Sequence, residues 1–317
     1  MVKNQNLVIE DPKTLLNICG VNDKNLRRIE KLSGCSVHSV GNEICFEGEN
    51  VFIVERTLQN LMRISETGGE IYTNLVELLY YEIEKNLDVD LNTVLTSNIE
   101  IHKVKKIFNP RSVNQGLYIQ LLRERDIIFS YGPAGTGKTF IAIAFALSEL
   151  LNKRYNKIIL TRPVVEAGEN LGFLPGDYIQ KINPYLIPLF DSINSILTTE
   201  INVKLMSQNL IEIAPLAYMR GRTFNNSIVI LDEAQNTTYT QMKMFLTRLG
   251  ENSKLIIAGD ITQVDLPKKI KSGMVEGLKI VSEISDIGIV NFQEKDVVRH
   301  PLVKKIINAY DKYERKK

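Results

Sequence analysis

The chain has 317 residues, 44% of them hydrophobic and 24% charged, with 39 Lys and Arg against 37 Asp and Glu. This is the profile of an ordinary globular chain able to build a sizeable core; a near-balanced charge excludes recognition of polyanions by bulk charge, so any basic surface is a local patch. Three cysteines, Cys19, Cys35 and Cys45, without metal spacing argue against a disulfide framework.

The start, MVKNQNLVIEDPK, lacks the apolar segment of a signal peptide. No apolar run approaches the roughly 18 residues needed to cross a bilayer. A cytoplasmic protein with no membrane association is expected. Residues 1–67 read as a small α+β module. Leu15, Leu16, Ile18 and Cys19 share an apolar face, and Leu26, Ile29 and Leu32 recur at helical spacing between Asp23, a candidate N-cap, and Gly34, a candidate stop. SVHSV and EICFE alternate on either side of Gly41-Asn42, a hairpin signal, and VFIVERTLQNLMRI reads as a further helix. Helices on a short sheet resemble several RNA-binding folds, the KH fold among them. The phosphate-clamping GXXG loop of KH is missing. Its nearest equivalent, Gly20-Val21-Asn22-Asp23, lacks the second glycine and carries a carboxylate. RNA binding and a purely structural or assembly role both stay open for this module.

Residues 68–110 read as a helical linker, with the helix TNLVELLYYEIEKNL, the basic run HKVKK and Asn109-Pro110. From 111 to 317 the pattern becomes alternating strand and helix. DIIFSY, KIILT, LIEIA, SIVIL, KLIIA and IGIVNF are short β-branched apolar runs. Continuous apolar strands separated by helices predict an α/β fold with a parallel sheet covered on both faces.

Between DIIFSY and the helix KTFIAIAFALSELL lies Gly132-Pro133-Ala134-Gly135-Thr136-Gly137-Lys138-Thr139, which fits the phosphate-loop pattern G-x-x-x-x-G-K-[ST]. Glycines let the backbone bend and turn its N–H groups inward. Lys138 supplies charge to the β- and γ-phosphates, Thr139 can ligate Mg²⁺, and the helix start adds its positive dipole end. SIVIL delivers Asp232 and Glu233 at a strand's C-terminal end, where ligands bind in open α/β sheets. Asp232 is expected to hold Mg²⁺ and Glu233 to polarise the attacking water. KLIIA ends in GDITQ, which places Gln263 to sense the γ-phosphate, with Asp260 in support.

GPAGTGKT, DEAQ and GDITQ in this order resemble the motor core of superfamily-one helicases. With NQGLY, TRPVVEAGENLGFLPGD, MRGRTF and DVVRHPLV added, the chain resembles the PhoH-like family of bacterial P-loop ATPases over about residues 111–310. The resemblance implies a P-loop NTPase with a RecA/helicase-like sheet, ATP and Mg²⁺ as ligands, and RNA-linked roles. It implies that Gln115 reads the adenine edge, and that Arg162 touches a nucleic-acid backbone. It makes Arg299 the candidate arginine for a γ-phosphate, in cis or across an interface. Tyr118 reads either as a stacking or as a core residue. Arg220 and Arg222 read either as phosphate or subunit contacts or as solvated side chains. His300 reads as structural.

Helicases of this type close two motor halves on ATP, and here the sequence ends at Lys317 shortly after the sixth strand. A homo-oligomer is therefore expected to complete the site, a ring being one form it could take. The function expected is an ATPase coupled to RNA handling. The alternative is a nucleotide-gated assembly or binding protein with slow turnover. A small-molecule kinase fits DEAQ and GDITQ less well than a water-activating ATPase.

Overall fold

The computed structural model describes residues 3–66, 68–69, 71, 73–85, 97–164, 178–267, 269–298 and 306. Two compact units divide the chain: Met1–Asn98 with Asn109–Leu117, and Ile99–Phe108 with Tyr118–Lys317.

The first unit runs β1 (Lys3–Val8), α1 (Pro12–Cys19), α2 (Lys24–Ser33), β2 (Ser36–Val40), β3 (Glu43–Gly48), α3 (Val51–Glu66) and α4 (Thr73–Lys85). Its sheet is antiparallel in the order β1-β3-β2. Alternation in β3 turns Ile44 and Phe46 into a core shared with Ile18, Leu26, Ile29, Leu58 and Leu61. Asp11 caps α1, accepting from the backbone N–H of Thr14 at 3.0 Å and Lys13 at 3.3 Å. Gly34 ends α2 in the left-handed conformation, as expected. Asp23 precedes α2 but makes no side-chain cap; its backbone is left-handed, φ 55°, whereas a capping residue needs an extended backbone to aim its oxygen at the first turn. Leu16, expected on the apolar face of α1, is exposed. Within 68–110, α4 packs on α2 and α3 and buries Leu75, Val76, Leu79 and Ile83, a stripe at helical spacing.

The second unit carries the hairpin β4 (Ile99–Ile101) and β5 (Lys106–Phe108), whose exposed His102, Lys103, Lys105 and Lys106 make up most of the run HKVKK. Helix α5 (Val113–Glu124) crosses the unit boundary after Leu117. Then come β6 (Ile127–Tyr131), α6 (Lys138–Leu151), β7 (Lys157–Arg162), α7 (Tyr178–Ile196), α8 (Thr199–Ser207) and β8 (Ile211–Pro215). The rest is β9 (Ser227–Leu231), α9 (Tyr239–Leu246), β10 (Lys254–Gly259), α10 (Gly273–Val281) and β11 (Ile287–Asn291).

All six apolar runs are strands of one parallel sheet, ordered β11-β6-β10-β9-β7-β8. Every residue of β9 and β10 is buried, as a sheet covered on both faces requires. The order inserts β10 between the phosphate-loop strand β6 and the acidic strand β9. The C-terminal ends of these three strands therefore lie side by side, which is where an open α/β sheet binds ligands.

Two contacts fix the start of the loop. Gly132 donates its N–H to Gly259 O at 3.3 Å, and Phe292 donates to Tyr131 O at 2.7 Å. Gly132 has φ 137°, and a Cβ there would lie 2.1 Å from Phe292 O. We expect Gly132→Ala to cost at least about 2 kcal/mol of stability, read as a lowered midpoint in denaturant.

At the sheet's β8 edge, Glu212 accepts two bonds from Arg222, at 2.6 and 3.0 Å, and pairs with Lys157 at 2.7 Å. Arg222 also stands 5.2 Å from the Phe224 ring centroid, so its guanidinium is engaged within the fold. The Arg222 bonds hold the Glu212 carboxyl down, from 4.5 to about 2. A depressed carboxyl contributes stability above its unfolded value, and that contribution is lost as pH falls through the folded one. Glu212→Gln should cost roughly 2 kcal/mol at pH 7, allowing for partial solvent exposure. The gap to wild type should narrow as pH falls from 4.5 toward 2, which urea titrations at stepped pH would follow.

Candidate nucleotide site

The loop after β6 turns with φ 84° at Gly135 and 86° at Gly137, both in the left-handed region that glycine adopts without strain. Helix α6 starts directly behind it at Lys138 and runs 14 residues, so its positive end faces the loop. Lys138 is 8% exposed. Its Nζ donates to Gly132 O at 2.6 Å, Pro133 O at 2.8 Å and Thr136 Oγ1 at 3.3 Å. Burial pulls the ammonium below its ordinary value, and the charges of Asp260, Asp232 and Glu233 oppose that pull. Thr136 is buried, with its hydroxyl on Pro133 O at 3.0 Å.

Strand β9 hands over Asp232, whose backbone N–H is held by Thr161 O at 2.9 Å. The Asp232 Oδ1 accepts from Thr139 Oγ1 at 2.6 Å, across 93 residues of sequence. Burial pushes the Asp232 carboxyl up, while Arg162 and the Thr139 bond draw it down. A hydroxyl and a buried carboxylate in contact are hard oxygen donors, the set that magnesium takes with phosphate oxygens and water completing its shell. Among the described residues no group of three or more His, Cys, Asp or Glu side chains could hold a metal ion.

Glu233 follows with φ 51°, an uncommon left-handed backbone for this residue type. Its Oε1 accepts from Arg162 Nη2 at 2.7 Å and its Oε2 from Gln235 Nε2 at 2.6 Å. In the turn after β10, Gln263 donates its Nε2 to Asp260 Oδ2 at 3.0 Å. Asp260 Oδ1 accepts from Thr262 N–H and Oγ1 at 3.0 and 2.6 Å. These elements enclose a cleft of about 280 Å³, lined by Ala134, Gly135, Gly137, Lys138, Thr139, Phe140, Ser192, Asp232, Glu233, Gly259, Asp260 and Gln263.

The structure thus gathers the phosphate loop, Asp232, Glu233 and Gln263 around one cleft. Gln115 lies in the first unit, buried, with its Oε1 accepting from Arg111 N–H at 2.6 Å. Tyr118 is fully buried; its hydroxyl accepts from Ser130 Oγ at 3.2 Å and its ring meets Phe292 edge-on at 5.7 Å, a core position. Arg299, His300 and most of TRPVVEAGENLGFLPGD lie outside the described residues. The residue before Arg299, Val298, donates its N–H to Gly135 O at 2.9 Å.

Gln235 and Ser192 are among the residues of the site that escaped sequence reasoning. Gln235, 1% exposed, joins Glu233 to the GDITQ turn, donating to Gln263 O at 3.2 Å and accepting from Asp260 N–H at 3.0 Å. Its place two residues after Glu233 was the available signal. Ser192 enters the lining from α7, for which the sequence carries no signal.

Because burial disfavours the charge on Asp232, its amide should relieve a folding cost while removing the carboxylate expected to hold Mg²⁺. Asp232→Asn should weaken nucleotide binding roughly tenfold or more in Mg²⁺, and hardly at all in EDTA. The unfolding midpoint of the nucleotide-free variant should equal or exceed wild type. Paired calorimetric titrations and thermal melts would check both halves.

A family profile described as PhoH-like protein matches residues 107–311. A PhoH-like protein of Bacillus subtilis (strain 168) is 43% identical over 309 residues, covering 97% of each chain. A PhoH-like protein of Mycobacterium tuberculosis (strain H37Rv) is 44% identical over 305 residues, 96% of this chain and 86% of its own. Among solved structures, the Pif1 helicase of Candida albicans aligns with 15% identity and a TM-score of 0.29, over 57% of this chain and 39% of its own.

Proposed function

We propose, from the premise that this chain belongs to the PhoH-like protein family, that it is a magnesium-dependent ATPase whose turnover is coupled to RNA handling. The observation that carries this reading is the 2.6 Å bond between Thr139 and Asp232, with Glu233 adjoining in the cleft that the phosphate loop lines. Lys138 and the loop amides bind the β- and γ-phosphates. Thr139 and Asp232 would hold the ion. Magnesium, when bound, supplies neutralisation of charge building on the phosphate oxygens. Glu233 orients the attacking water and takes its proton, giving ADP and phosphate. Gln263, set by Asp260 and reaching Glu233 through Gln235, is suited to register loss of the γ-phosphate. Arg299 carries charge to the γ-phosphate; its neighbour Val298 on Gly135 supports reach within the same chain. We further propose that the working form is a homo-oligomer, which sedimentation and a concentration-dependent specific activity would reveal.

RNA handling is supported by the small front module and by the exposed basic side chains between Ile101 and Ile107. Single-stranded RNA should then accelerate ATP hydrolysis, and the acceleration should fall steeply with salt, because neutralising phosphates releases counterions. Equal slow rates with and without RNA would favour a nucleotide-gated assembly or binding protein. One observation leans toward that second reading: both carboxylate oxygens of Glu233 are already held by N–H donors.

No helix among the described residues is long and apolar enough to cross a membrane.

A further inference from the structure

Arg162 is the last residue of β7, and its side chain is 17% exposed. Its guanidinium makes three contacts. Nη2 lies 2.7 Å from Glu233 Oε1, Nε lies 3.7 Å from Asp232 Oδ2, and Nη1 donates to Tyr185 O of α7 at 2.9 Å. A planar fork with five N–H donors can serve several acceptors at once, where an ammonium cannot. Lys138 does not compete for this place, because its Nζ is turned onto Gly132 O and Pro133 O. The remaining oxygen of Glu233 is held by Gln235, so the acid is pinned from two sides.

We propose that Arg162 is a positioning residue that serves as a tethered counter-ion for Asp232 and Glu233, restraining Glu233 until a metal ion at Thr139 and Asp232 displaces it. The inference rests on the ATPase reading above. Its physical basis is charge: two adjacent acids, one of them buried, need a cation, and among the described residues the Arg162 guanidinium is in contact with both. A divalent ion beside Asp232 neutralises the acids a second time and brings like charge next to the guanidinium, which weakens its hold on Glu233. The freed carboxylate can then turn a lone pair to water. The Tyr185 contact gives Arg162 a second anchor on α7, whose Ser192 lines the same cleft. Position and hydrogen bonding of Glu233 thereby become linked to occupancy of the metal position.

The test uses the full-length protein and Arg162→Gln, with Arg162→Lys keeping the charge without the fork. The first readout needs no turnover. In EDTA and without nucleotide, Arg162→Gln should melt about 5 °C or more below wild type, since two adjacent acids, one of them buried, have lost their cation. Magnesium chloride alone should recover most of that loss, at a half-effective concentration at least about threefold below wild type. The second readout is basal ATP hydrolysis without RNA. Here kcat should rise about threefold or more while KM moves less than about twofold, with Arg162→Lys in between. A purely structural role would lower the melting point without moving the magnesium midpoint or raising kcat. Either an unmoved magnesium midpoint or a kcat at or below wild type overturns the assignment. If wild type does not hydrolyse ATP at all, the ATPase reading falls, and the magnesium arm on nucleotide-free protein still decides the role of Arg162.

Discussion

Lys138→Ala is expected to reduce nucleotide affinity by roughly a hundredfold, since one charge-assisted bond to phosphate contributes about 1.5–3 kcal/mol. Hydrolysis should fall further, by roughly a thousandfold, because charge grows on the γ-phosphate oxygens in the transition state and Lys138 is the loop's cation. The variant should fold. Lys138 is buried among Gly132 O, Pro133 O and the acids Asp260, Asp232 and Glu233, and burial already disfavours its charge. Removing it takes away a desolvated ammonium and leaves the apolar face of α6 untouched. Titration calorimetry with ADP and ATP in Mg²⁺, together with a circular-dichroism melt, separates lost binding from lost folding. Full affinity and turnover in a folded variant would remove the phosphate-loop assignment and with it the proposed function.

Glu233→Gln should spare binding and lower turnover. The amide keeps an oxygen for Arg162 Nη2 and leaves Thr139 and Asp232 in place, so ATP affinity should hold within about twofold. The amide cannot accept a proton, so kcat should drop by about a hundredfold to ten-thousandfold, the range for a lost general base. Quench-flow single-turnover assays read the chemical step directly. A variant that turns over at the wild-type rate would show that another group activates water. Comparing the two substitutions is informative in itself: loss at Lys138 falls on affinity and chemistry together, loss at Glu233 on chemistry alone.

Much of the fold was legible because its signals are local. The six strands are short runs of β-branched and apolar residues, readable without knowing their neighbours, and the glycines of the loop stand where the backbone takes positive φ. Gly34 as a helix stop follows from the same kind of reasoning. Asp23 shows its edge: residue type suited a cap, but the left-handed backbone at 22–23 turns the carboxylate away. Leu16 shows it again, apolar by type yet exposed, because α1 is covered on one side only.

What the amino-acid order by itself determined was the alternation of strand and helix, the phosphate loop, and the delivery of Asp232 and Glu233 at a strand end. These rest on backbone preferences and on hydrophobic periodicity, which act over a few residues. Only the tertiary structure decided which side chains share an atom's reach. Strand order puts β10 between β6 and β9, so Gln263 and Asp260 join Gln235 and Glu233. It sets β7 beside β9, so that Arg162 meets Glu233 across 71 residues of sequence. Such pairings depend on packing and on charges made costly by burial, neither of which leaves a periodic trace in a linear chain.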